Sequence, residues 1–324
     1  MVRIGVTGAT GFIGGALVPY LAARGFELRL VDDRSGPIHV EYSEWPALAA
    51  DFAGESALRA LSDCDVILHL AAVSGVMPCA RDPSGTARVN VDGTRRLYAM
   101  CRDRRIPVAF ASSFAVVGAP EHLPVREETP ARPTHEYARQ KAIGETLTVE
   151  LAATAHVAAA NLRQSNVYGG YVASGRRVSK GNVLEVFARQ AQEGRLLVNA
   201  PGTQRRDFVH IEDVLAHWEA AVRFLTRPSV PPTATTFNVA SGEAISVLEM
   251  AERVVHAYTR LHPERPALRV EVVRNPREGV ELVEPAFAVD RSHTEHVLGV
   301  ACRHRVDGEL PEILRSAELS SPSG

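Results

Sequence analysis

Two residues in the stretch PTHEYARQKAIGE (133–145) have types and spacing that could do chemistry: Tyr137, and Lys141 four positions later. On a helix such a pair shares one face, with Cβ atoms roughly 5–6 Å apart. An ammonium that close favours phenolate over phenol, so the tyrosine could act as a base. The same spacing arises by chance in many surface helices. It carries meaning only if the chain also holds something for a base to act with.

A second set supplies it. In VTGATGFIGG the glycines Gly8, Gly11 and Gly14 stand between a short apolar run and a segment with apolar residues at helical spacing. Gly8 permits a tight turn, Gly11 lets the backbone approach a pyrophosphate, and Gly14 allows close helix–strand packing. The helix that follows offers free N–H groups and a positive dipole end to phosphates. The next strand-like run, ELRLVDD, ends in Asp32, twenty-four residues after Gly8. A carboxylate there can take both adenosine ribose hydroxyls and repels a 2′-phosphate, which favours NAD over NADP. Arg34 nearby could instead serve a phosphate.

The elements that must hold these groups are legible as a rhythm. VRIGV, ELRLVDD, CDVILHLAA, PVAFASS and HVAAANLR are strand-length apolar runs, each followed by a helix-like or loop segment. Alternating strand and helix implies βαβ units and a parallel sheet covered on both faces. The second half loses this rhythm, which suggests a smaller lobe over the strand ends and a ligand cleft between the two. The 324 residues suffice for one large domain or two modest ones. A net charge of −2 shows no bias towards nucleic acid or anionic membranes, and no apolar run approaches the ~18 residues that span a bilayer. The N-terminus has no signal-peptide pattern, and Cys64, Cys79, Cys101 and Cys302 lack metal or disulfide spacing. A cytoplasmic protein is the expectation. His293 and His296 read as surface histidines, with no metal site expected.

With these motifs in order, the chain resembles the extended short-chain dehydrogenase/reductase family, in its nucleotide-sugar branch. The resemblance rests on TGxxGxxG at 7–14, Asp32, Asp51-Phe52, HLAA at 69–72, NVDGT at 90–94, SSFAVVG at 112–118, Tyr137-xxx-Lys141, NLRQSNVYGG at 161–170, RRDFVHIEDV at 205–214 and FNVASGE at 237–243. It implies a Rossmann-type doubly wound α/β sheet at 1–168, with 207–242 returning to it, and a smaller C-terminal α/β lobe for the substrate at 169–206 and 243–324. The cofactor surface is then Gly8, Gly11, Phe12, Ile13, Gly14, Asp32 and Asp33, with Asp51 and Phe52 near the adenine and Leu70, Ala71 and Ala72 along the cofactor's path. Asn90 supports that loop, or else caps a helix. Lys141 holds the nicotinamide ribose and, with oxidised nicotinamide, depresses the pKa of Tyr137; Ser113 bonds the reacting sugar oxygen. The resemblance assigns the nucleotide-sugar to Ser113, Phe114, Asn166, Asn182, Val183, Arg206 and Arg277, although Arg277 equally reads as a solvated loop residue. It also implies a homodimer through the helices around 86–104 and 135–153, where Leu97, Met100, Ile143 and Leu147 recur at helical spacing.

In this family the tyrosinate removes the sugar C4 hydroxyl proton while C4 passes hydride to NAD. Relatives that eliminate water resemble one another in carrying Asp-Glu after the serine, and decarboxylating relatives commonly carry a glutamate at the second position. Here Phe114 and Ala115 stand there, and neither moves protons. A 4-epimerase needs no further acid or base, so the resemblance points to a UDP-hexose 4-epimerase. Two departures mark SSFAVVG: Phe114 is bulky where a small residue is common, narrowing the room for the sugar to turn, and Val117 replaces a tyrosine. A 4-ketoreductase, an atypical dehydratase and a non-catalytic dinucleotide sensor stay open. The basic loop GRRVSKG (175–181) could embrace a phosphate or a substrate carboxylate, or simply be solvated.

Overall fold

The computed structural model describes residues 1–274 and 287–320. Strands β1 (Arg3–Thr7), β2 (Glu27–Asp32), β3 (Leu48–Ala49), β4 (Val66–His69), β5 (Val108–Ser113) and β6 (Ala159–Gln164) alternate with helices α1 (Phe12–Ala22), α2 (Glu55–Leu61), α3 (Val76–Arg81), α4 (Pro83–Ala87), α5 (Thr94–Arg104) and α6 (Glu136–Ala155). The chain continues through β7 (Asn166–Tyr168), β8 (Gly170–Ala173), β9 (Arg176–Ser179), α7 (Val183–Gln192), β10 (Arg195–Asn199), β11 (Arg205–His210), α8 (Ile211–Leu225), β12 (Ala234–Val239), β13 (Ala244–Ser246), α9 (Val247–Leu261), β14 (Arg269–Val273), α10 (Ser292–Leu298) and α11 (Val306–Ser320).

Seven strands form one sheet in the order β12-β6-β5-β4-β1-β2-β3, every pair parallel. Burial explains the apolar runs: all four residues of β4 are buried, because helices cover both faces. Leu17 and Leu21 of α1 and Trp218 of α8 fill one face, while Leu61 of α2, Leu97 of α5 and Leu151 of α6 fill the other. The strand order reverses between β1 and β4, so their carboxyl ends open into a crevice. That is where open α/β sheets bind ligands.

The smaller lobe has its own core, in which Leu184 and Phe187 meet Leu196, Met250, Val254 and Leu314. Strand β12 lies in the main sheet beside β6. The segment from Phe287 to His304, expected with the lobe, also packs on the main sheet. Buried Thr294 accepts a hydrogen bond from Asn238 N at 2.7 Å, and Asp213 accepts the backbone N–H groups of Arg303 and His304. Polar groups buried at the ends of β12 and α8 need partners, and this segment supplies them.

Candidate active site

Helix α6 is locked to the sheet by a buried ion pair one turn beyond Lys141. Arg163 of β6 donates from Nε and a terminal nitrogen to the two oxygens of Glu145, each at 2.9 Å, and Ser112 Oγ donates to the same carboxylate at 2.6 Å. The register of β5 on β6 sets Ser112 opposite Arg163 and Ser113 opposite Gln164. Ser113 therefore emerges at the sheet's edge beneath the first turns of α6, where Tyr137 lies.

The Tyr137 hydroxyl lies close enough to the hydroxyls of Ser74 and Ser113 for both to favour its phenolate. Its pKa nonetheless stands above the ordinary phenol value, because burial raises it more than those two hydroxyls lower it. Lys141 was expected to depress this phenol. Its Nζ donates to the Ala111 carbonyl at 2.7 Å and lies 6.0 Å from the Tyr137 ring centre. Lys141 is only 6% exposed, and burial pulls its pKa down to about 8.

Ser74 was missed by sequence reasoning. It follows β4 at the crevice, and the only sequence signal was a serine–glycine pair just past HLAA. Its neighbour Val73 is clamped by Asn90, whose Oδ1 accepts Val73 N at 2.8 Å while Nδ2 donates to Val73 O at 2.9 Å. Nδ2 also donates to Gln140 Oε1 at 2.7 Å, beside Lys141 on α6. Asn90 thus ties the loop carrying Ser74 to the helix carrying Tyr137.

At the cofactor end, Gly8 takes φ +71°, and a Cβ there would lie 2.7 Å from Ala71 N, so the turn touches the loop of Leu70, Ala71 and Ala72. A Cβ on Gly14 would come within 2.1 Å of Gly8 O, whereas one on Gly11 meets only Gly8 O at 3.4 Å. Gly11, at the N-terminus of α1, therefore presents bare backbone, as a phosphate site requires. Asp32 accepts Thr10 N and Arg34 N, so the carboxylate is braced at the end of β2 beside this turn. Arg34 pairs with Glu41, and Asp33 is turned into a local bond with Ser35. Phe12 is buried and its carbonyl accepts Tyr171 Oη at 2.8 Å; Ile13 packs half-buried on the same core. Asp51 is exposed, and Phe52 is buried with its ring 5.0 Å from that of His69. These residues fit a dinucleotide.

At the substrate end, Phe114 is buried, its ring edge-on to Phe287 in a cluster with Val116, Val117 and Val125. The bulk that was expected to narrow the sugar's room is taken up by this cluster. Asn166 is exposed at the edge of β7 and donates to Asp207 O at 3.0 Å. Asn182 caps α7 through Leu184 N and donates to Val167 O, with Val183 beside it half-buried. Arg206 lies on β11, half-buried, one of its terminal nitrogens on Arg205 O. Arg277 lies outside the described residues. Asp207, which sequence reasoning passed over, joins the lobes by accepting Ser165 Oγ, Ser241 N and Gly242 N. His210 caps α8, its ring 4.4 Å from that of His304. Among the described residues no helix is long and apolar enough to cross a membrane.

Known proteins are similar along most of the chain. Residues 4–240 match the model of the NAD dependent epimerase/dehydratase family. A UDP-glucose 4-epimerase of Mycolicibacterium smegmatis is 30% identical over 80% of this chain and 85% of its own. Among solved structures, MoeE5 in complex with UDP-glucuronic acid and NAD is 26% identical, with a TM-score of 0.77 over 97% of this chain and 99% of that one. TunA, an NAD-dependent NDP-hexosamine 5,6-dehydratase, is 27% identical with a TM-score of 0.79 over 99% of each. The cofactor of such enzymes is NAD, and the braced Asp32 and the bare turn at Gly11 leave room for a dinucleotide at the glycine turn. With that geometry and a match spanning most of its length, the chain belongs to the NAD-dependent epimerase/dehydratase family of nucleotide-sugar enzymes.

Proposed function

We propose that the protein epimerises C4 of a nucleotide-activated hexose, carried on UDP, through a transient 4-keto sugar. One observation carries this reading: the Tyr137 hydroxyl meets Ser113 at the crevice while the two positions after Ser113 hold a buried phenylalanine and an alanine. A base and an orienting hydroxyl are in hand, and the two positions after Ser113 carry no acid or base for elimination. Tyr137 takes the C4 hydroxyl proton, Ser113 aligns the sugar oxygen, and Lys141 grips the ribose of the cofactor from the same helix face. When bound, NAD supplies the hydride acceptor and donor at C4. The keto sugar turns its other face, and Tyr137 returns the proton. Asn166, Asn182, Val183 and Arg206 would hold the nucleotide diphosphate, arginine suiting phosphate through its planar fork. The name of the M. smegmatis relative supports a UDP-sugar.

TunA's likeness keeps elimination as a second reading, which would need an acid and a base from elsewhere. Incubation with UDP- and dTDP-hexoses, followed by NMR, separates the two: a C4 epimer is expected, and a 5,6-ene product would overturn the first reading. A stoichiometric demand for NADH would mark a ketoreductase instead. Tyr137→Phe should keep its NAD and lose turnover by roughly 10²–10⁴, the usual worth of a positioned base. Full activity in that variant would sink the assignment of the base. We also propose a homodimer through α5 and α6. Leu97 and Leu147 are buried within the subunit, but Ile143 and Val149 of α6 are 38% and 53% exposed and offer the apolar surface for it.

A further inference from the structure

The chain has two lysines against thirty-four arginines, and the two, Lys141 and Lys180, belong to one cleft. Lys180 follows the β8–β9 hairpin and precedes the cap of α7. The hairpin is anchored from both sides. Tyr171 Oη donates to Phe12 O at 2.8 Å, above the glycine turn, and Ser174 Oγ donates to Glu41 O at 3.2 Å. Ser179 pairs with Gly170 at the hairpin's base, and Asn182 is tied to Val167 of β7 at 2.9 Å. Lys180 is therefore held between two fixed points beside β7, which continues from the carboxyl end of β6, next to Ser113.

The Lys180 side chain is open to solvent, yet protein surrounds it closely enough that desolvation holds its pKa below the ordinary value. Burial is the main cause of the low pKa of Lys141, and the charge of Lys180 adds to it, so the two ammoniums lie within electrostatic reach of each other. Neighbouring Arg177 pairs with Glu312, but among the described residues no carboxylate pairs with Lys180. Two like charges share a partly desolvated crevice without a counterion. A bound anion would relieve that.

The anion's position identifies its kind. Asn166 and Arg206, the groups suited to the diphosphate, stand on β7 and β11, whereas Lys141 marks the reacting end, beside Tyr137 and Ser113. An anion between the two lysines therefore belongs to the sugar. We propose that Lys180 pairs with a carboxylate at C6 of the reacting sugar, so that the preferred substrate is a nucleotide hexuronic acid. This rests on the epimerase reading above. An ammonium suits the role because it is a compact point charge that needs no planar partner.

The test uses the NAD-loaded protein with UDP-glucuronic acid and UDP-glucose, measuring affinity by calorimetry and C4 epimerisation by NMR. Wild type should favour the uronate by roughly 10- to 100-fold in Kd, the worth of a hydrogen-bonded charge. Lys180→Gln should collapse that ratio, and Lys180→Arg should restore much of it. Equal weakening of both ligands in Lys180→Gln would place Lys180 on the shared diphosphate and overturn the proposal, as would a wild-type preference for UDP-glucose. Loss of bound NAD from Lys180→Gln would overturn it too, by making Lys180 a cofactor ligand. If neither sugar is epimerised but the affinity ratio and its collapse persist, the carboxylate subsite stands and the reaction assignment falls.

Discussion

Replacing Lys141 with methionine should make the ligand-free protein more stable while removing its function. The ammonium is buried, and its pKa falls from an ordinary 10.5 to about 8. That shift corresponds to roughly 3 kcal/mol by which the folded state disfavours the charged form at neutral pH. Methionine removes the charge but forfeits the bond to the Ala111 carbonyl, worth about 1 kcal/mol. The balance is roughly 2 kcal/mol in favour of the variant at pH 7, a Tm rise of roughly 3 °C for a chain of this length. The sign follows from linkage. The unfolded lysine keeps its proton up to about 10.5, while the folded one gives it up above about 8. The penalty is therefore full below pH 8 and shrinks as pH rises from 8 towards 10.5. Urea melts of NAD-stripped wild type and Lys141→Met at pH 7, 8.5 and 10 should show the variant's advantage narrowing. Comparing the two at equal pH cancels the buried thiols, such as Cys64 and Cys302, whose pKa values burial pushes up to about 12. A variant less stable than wild type at pH 7, or a gap that ignores pH, would refute the reasoning. The same variant should lose turnover and its hold on NAD.

Glu145→Gln, which strands the Arg163 guanidinium, should cost about 3–5 kcal/mol in urea melts, and the double variant Glu145→Leu/Arg163→Met should cost less than that single change. Equal losses would mean that the pair does not act as a unit. Ser74→Ala removes a hydroxyl that favours the Tyr137 phenolate, so the acid limb of the pH–rate profile should move to higher pH; an unmoved limb would leave Ser74 without a part in the reaction. Asp32→Asn should cut the preference for NAD over NADP by roughly 10- to 100-fold in calorimetry, since a carboxylate bond to ribose is lost along with the charge that repels phosphate. Light scattering should give a dimer mass that Val149→Glu reduces to a monomer, and a monomeric wild type at micromolar concentration would reject the α5–α6 interface.

Much of the site is short-range in the chain, and so it was legible. The Gly8–Gly14 turn, the carboxylate ending β2 and the Tyr137–Lys141 face each depend on residues within one turn or one strand of each other. Their spacing follows from backbone geometry alone. The strand–helix rhythm of the first half was legible for the same reason, because apolar runs record burial on both faces of a sheet. What escaped is long-range. Ser74 reaches Tyr137 from another strand end, through a loop that Asn90 clamps. Glu145 finds Arg163 and Ser112 only because β5 and β6 pair in one register. Phe114 looked like an obstacle in the cleft, but Phe287, far along the chain, draws it into a buried cluster. The segment around Thr294 and Arg303 returned to the main sheet because Asn238 and Asp213 were buried and needed partners. Where the Lys141 ammonium rests has a related reason. Helical spacing fixes where two Cβ atoms lie, but a flexible four-carbon side chain goes to the nearest acceptor, and here the sheet presents the Ala111 carbonyl. Residue type and local period set which groups are available. Desolvation and pairing between distant segments, which exist only in the folded chain, decide their protonation and their partners.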